Sequence, residues 1–214
     1  MTIAKANPLC FLDVETTGHD PLKRRGDKLI PWHEIIDLAA VFADPHSLDF
    51  VGGLSVLVKP EHPERCLPNL VNDYQRRALC GKWDNAASLS EALQYLLGDC
   101  SRFDSVVIPV GQNFFFDWSF LSVGFAWCNV SESEWGKYLH YSRLDTRSMA
   151  VQELLKPGEV YNPAEFSLRN DILSTRLGIP PEPYPHEASN GAYQSYLVYK
   201  KLRELNLLRQ ERIT

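Results

Sequence analysis

The chain has 214 residues, 44% of them hydrophobic and 23% charged, enough for one sizeable soluble core without requiring a second domain. Its formal charge of −5 excludes a protein that coats nucleic acid by bulk positive charge, although Lys23-Arg24-Arg25 with Lys28 forms one local basic strip. Cys10, Cys66, Cys80, Cys100 and Cys128 are scattered without a C-x-x-C pair, and no leader or apolar run approaches the ~20 residues that span a bilayer, so free thiols in a single cytoplasmic domain are expected over 1–214 (core about 9–205).

In chain order, Leu9 to Val14 reads as a first strand, Glu34 to Ala43 as a second and Gly53 to Val58 as a third, an antiparallel meander. The segment His19 to His33 between the first two is polar and holds two prolines, so a surface loop is predicted. Leu70 to Leu79 and Leu89 to Leu97 carry helical spacing, the second with Ser88 or Ser90 as cap. Ser105 to Val110 reads as a fourth, central strand that runs into Gly111-Gln112-Asn113-Phe114-Phe115-Phe116-Asp117 and a helix from Asp117 to Trp127. Asp145-Thr146 reads as the cap of a helix to about Leu155. A loop at Lys156 to Pro163, a helix near Phe166 to Leu177, an extended proline-rich run from Pro180 to Pro185 and a long amphipathic helix from about Glu187 to Leu205 complete the chain. This order predicts an α/β fold, a mixed sheet flanked by helices, with ligands gathering where strands end and helices begin.

Asp13 and Glu15 stand two apart at the end of the first strand, so both face one side of the sheet. Two acids beside an apolar strand are costly unless a positive partner compensates them, and a hard divalent cation does so. Together with Asn113-x-x-Phe116-Asp117 and Pro185-His186, the run Phe11-Leu12-Asp13-Val14-Glu15-Thr16-Thr17-Gly18 resembles the motif set of the DEDDh 3′–5′ exonucleases, the superfamily of polymerase proofreading subunits and ribonuclease T. The resemblance runs from about Leu9 to Leu205. It implies a ribonuclease H-like five-stranded sheet and metal-dependent hydrolysis at the 3′ end of a nucleic acid, DNA or RNA. It further implies Asp13, Glu15 and Asp117 as ligands of Mg²⁺ or Mn²⁺, with His186 as general base. Thr16, Thr17, Gly18 and Asn113 are then expected at the substrate, and a homodimer is compatible with the resemblance, although no isolated apolar patch argues for one. Such chemistry suits two metal ions about 3.5–4 Å apart and a histidine of near-neutral pKa.

The third motif departs from the pattern. Four residues separate His186 from Gly191, which stands where a metal-binding aspartate is expected, with Asn190 before it and Glu187 a helical turn back. Glycine offers no side-chain ligand, so two readings follow: an exonuclease with a divergent third motif, or a catalytically impaired relative that binds nucleic acid or protein. Asp145 reads as a structural cap rather than a ligand. Of Phe114, Phe115, Phe116 and Trp118, at least two are expected in the core. The basic segment with Trp32 is the candidate nucleic-acid-facing element.

Overall fold

The computed structural model describes residues 6–155, 158–163 and 167–211. Its centre is a five-stranded mixed sheet in the order β5-β4-β1-β6-β7. Strand β1 (Leu9–Thr16) pairs antiparallel with β4 (Ile35–Ala43), which pairs antiparallel with β5 (Phe50–Leu57). On its other side β1 runs parallel to β6 (Ile108–Gly111), and β6 runs parallel to the two-residue β7 (Leu144–Asp145). The expected meander and mixed sheet are therefore present. The strand expected at Ser105 to Val110 is β6, an interior strand with β1 and β7 on its two sides, while β1 is the middle of the five.

The polar segment His19 to His33 is more ordered than a loop: β2 (Leu22–Arg25) and β3 (Lys28–Pro31) form a separate two-stranded hairpin. Gly26, at φ 62, supplies the positive dihedral that a two-residue turn requires. The arms bury no continuous face, so hydrophobic alternation gave no sign of them.

The two faces of β1 are covered by different helices. Cys10, Leu12 and Val14 pack into the cluster containing Leu93 and Leu96 of α2 (Leu89–Cys100) and Phe120, Leu121 and Phe125 of α3 (Phe115–Trp127). Leu9 and Phe11 face α7 (Ala188–Glu211), where the Phe11 ring meets Tyr196 and Tyr199 edge-on at 5.5 and 5.4 Å. The capping box of Ser88 and Glu91 fixes the start of α2.

Between β5 and α2 lies α1 (Tyr74–Leu79), shorter than the helix expected from Leu70 because Asn69 and Asp73 adopt left-handed backbone. The short α4 (Glu132–Trp135) follows α3. Then α5 (Thr146–Leu154) follows β7, and α6 (Asn170–Leu177) precedes the proline-rich run. The expected start of that helix at Phe166, and Lys156 at the start of the expected loop, lie outside the described residues. Among the described residues no helix is long and apolar enough to cross a membrane.

Candidate active site

Strand β6 ends at Gly111, paired with β1 only as far as Phe11, so the last residues of β1 have no neighbouring strand on that side. The backbone N–H of Val14 is satisfied instead by Asp117 Oδ1 at 3.0 Å, which ties the first turn of α3 to the strand. A cleft of about 300 Å³ opens there, and Asp13, Glu15, Thr16, Asn113, Asp117 and His186 all line it. Three distant segments thus deliver the expected acids and histidine to one place. Thr17 and Gly18 do not reach the cleft wall: the Thr17 hydroxyl accepts from Glu34 N at 2.9 Å, and Gly18 lies flat against the His33 ring.

The acids are held at high electrostatic cost. Burial holds the Asp13 carboxyl well above the usual range, reinforced by the charges of Asp117, Glu15, Glu182 and Asp37. Burial pushes Glu15 up to about 8, against the hydrogen bond from Asn72 and together with Glu182, Asp37 and Asp117. Asp117 is pushed up to about 7, mainly by burial, despite its backbone hydrogen bonds. His186 moves the other way: burial lowers it from the ordinary 6.5, which keeps the imidazole neutral and able to accept a proton at pH 7.

A raised carboxylate pKa means the folded state binds more protons than the unfolded one between the two values, so stability falls as pH rises through that window. For Glu15 the window runs from 4.5 to about 8. One unit of displacement corresponds to about 1.4 kcal/mol, and 1 kcal/mol to ~2–4 °C in a chain of this size. The metal-free protein is therefore expected to lose about 5 °C or more in melting temperature between pH 5 and pH 8. Millimolar Mn²⁺ should reverse the loss, and a flat profile in calorimetric scans would show that the carboxylates are not opposed as described.

Two supporting residues carry no local sequence signal. Asn72 donates from Nδ2 to Glu15 Oε2 and to Thr16 O, both at 3.0 Å, while its Oδ1 accepts from Tyr74 N at 3.1 Å. Next to it, Val71 O accepts from His186 N at 3.1 Å, so the segment before α1 positions both an acid and the histidine. Asn72→Ala should weaken Mn²⁺ binding by about 10–100-fold, the usual effect of removing a group that orients a ligand. An unchanged calorimetric isotherm would show that Glu15 is oriented without it. The second residue, Arg147, also lines the cleft, with its guanidinium 3.4 Å from Asn113 Oδ1.

Asp145 is a cap. Its Oδ2 accepts from Ser148 N at 3.1 Å, and Oδ1 accepts from Asn113 N at 2.7 Å, which fixes the left-handed Asn113 at the cleft edge. Glu187 is withdrawn from the cleft by Arg77 and Lys82, and Asn190 does not line it. Phe114 is buried, Phe116 lines the cleft and Phe115 is exposed. Lys23 at 3.8 Å and Arg65 at 4.8 Å lie over the Trp32 ring. All-oxygen acids beside one imidazole, with the Glu15, Glu182 and His186 donors within 4.8 Å of one another, fit a hard divalent ion.

No protein-family model matches the sequence, and no curated protein matches it. Solved structures do. The nuclease domain of 3′hExo, a DEDDh family member bound to rAMP, superposes with a TM-score of 0.67 at 13% identity over 95% of this chain and 94% of that one. Cell-death related nuclease 4 gives 0.67 at 14%, over 95% of this chain and 65% of that one. E. coli exonuclease I in complex with a dT13 oligonucleotide gives 0.63 at 18%, over 97% of this chain but 42% of that one. The fold of this chain, a mixed five-stranded sheet flanked by helices, is that of the DEDDh 3′–5′ exonucleases.

Proposed function

We propose that the protein is a metal-dependent 3′–5′ exonuclease that hydrolyses the terminal phosphodiester of single-stranded DNA or RNA. The observation that carries this is the convergence of Asp13, Glu15, Asp117 and His186 in one cleft at the open end of the parallel β1–β6 pair. Asp13, Glu15 and Asp117 would hold Mg²⁺ or Mn²⁺. When bound, such ions activate water and offset charge on the phosphate and the leaving oxygen. His186, neutral and half-buried, accepts the proton of the attacking water. Arg147 faces a phosphate of the strand, and Phe116 offers a ring for the terminal base. Thr16 and Asn113 border the same space.

The test is a purified-protein assay with 5′-labelled single-stranded DNA and RNA in Mg²⁺ and in Mn²⁺. Shortening from the 3′ end is expected, and intact substrate under all four conditions would refute the proposal. Gly191 favours a second reading, a cleft that binds strand ends without cutting. That reading predicts a metal-dependent shift of the labelled strand in a gel with no ladder.

A further inference from the structure

The sequence leaves the site one carboxylate short at position 191, and the structure shows what a side chain there would have to displace. Helix α7 presents Ala188, Gly191, Ala192 and Ser195, all buried, along one stripe. An added Cβ at Gly191 would lie 2.5 Å from both Cγ and Oδ2 of Asp13. The Asp13 carboxylate occupies the space that a side chain at 191 would need.

We propose that Glu182 supplies the missing carboxylate, binding the same ion as Glu15 from the proline-rich segment that precedes His186. This rests on the exonuclease reading of the cleft and deepens it. The acids lining the cleft are Asp13, Glu15, Asp117 and Glu182. The Glu182 side chain is only 7% exposed, and its carboxylate oxygen lies within 4.8 Å of a Glu15 carboxylate oxygen and a His186 ring nitrogen. That spread is compatible with ligands around one ion.

The segment is built to hold it. Pro180, Pro181, Pro183 and Pro185 restrict the backbone around Glu182. One end is fastened to α7, where Gln194 Nε2 donates to Pro180 O at 2.9 Å, and the other to the Asn72 segment, where His186 N donates to Val71 O at 3.1 Å. Three other nearby acids do not line the cleft. Glu187 pairs with Arg77 and Lys82, Asp37 Oδ2 accepts from Ala188 N at 3.1 Å, and Asp145 caps α5. The ligand has moved from after the histidine to before it, so a motif read as histidine followed by acid misses it.

Mn²⁺ titration calorimetry on the full chain, with melting curves in and out of metal, tests this on wild type, Glu182→Gln and the exposed control Glu204→Gln. Wild type and control are expected to bind Mn²⁺ alike. Glu182→Gln should bind one ion at least about tenfold more weakly, no milder than the loss of an orienting neighbour. Its metal-free melting temperature should be no lower than wild type, and its metal-induced rise smaller. A Glu182→Gln isotherm equal to wild type overturns the proposal and leaves the exonuclease reading standing. So does a lower metal-free melting temperature, which marks a structural role. Wild type that binds no Mn²⁺ overturns the exonuclease reading itself.

Discussion

Asp13→Asn is expected to reduce 3′-end hydrolysis by about a thousandfold or more, with the fold intact and the metal-free protein more stable than wild type. Asp13 is buried, and the charges of Asp117, Glu15, Glu182 and Asp37 all act on it. Preorganised charge at a reacting centre is commonly worth two to three orders of magnitude per group, about 2.7–4 kcal/mol. The stability change has the opposite sign. With its folded-state pKa raised, ionised Asp13 opposes folding at neutral pH, and the neutral amide removes that opposition. Single-turnover assays and thermal melts on the same preparation check both halves. A variant that is inactive and also less stable would indicate that Asp13 mainly supports the fold.

How much of this was legible in the sequence depends on how local each signal is. Asp13 and Glu15 end an apolar strand, and their shared direction follows from the period of two, in keeping with both lining one cleft. Asp117 follows a short strand and a glycine, again a local pattern. Asn72 was read into a helix because Leu70 to Leu79 carries helical spacing. Its role depends on two left-handed residues that release the segment from α1. Glu182 sits in a proline-rich run with no periodicity, and its meaning comes from segments far away in the chain. The β2–β3 hairpin was hidden for a different reason: its arms contribute no face to the core, and only Gly26-Asp27 marks the turn. Motif spacing points to Asp13, Glu15, Asp117 and His186, and packing adds Glu182 to the cleft they line.

Gly191 gives the sharpest contrast between those two sources. From the motif alone, Gly191→Asp restores a missing ligand and should raise activity by orders of magnitude. The structure reverses that expectation. Any side chain at 191 begins 2.5 Å from the Asp13 carboxylate, inside the range where one of the two must move. The Asp13 backbone is held opposite Ala39 in the sheet, so its carboxylate must rotate out of place. Gly191→Ala adds the displacement without a ligand and should cost about tenfold or more in activity and Mn²⁺ affinity, since misplacement by about 1 Å can cost 10²-fold. Gly191→Asp adds the same displacement plus another buried charge among like charges, so its metal-free protein should be the least stable of the three. Parallel measurement of Mn²⁺ affinity, initial rate and metal-free melting temperature separates the alternatives. If Gly191→Asp gains affinity and rate while Gly191→Ala loses them, Asp13 has room to move and the vacancy at 191 limits the wild-type site. If both lose, the close approach of α7 to β1 is what excludes a carboxylate there, and the fourth acid has to enter the cleft from another segment.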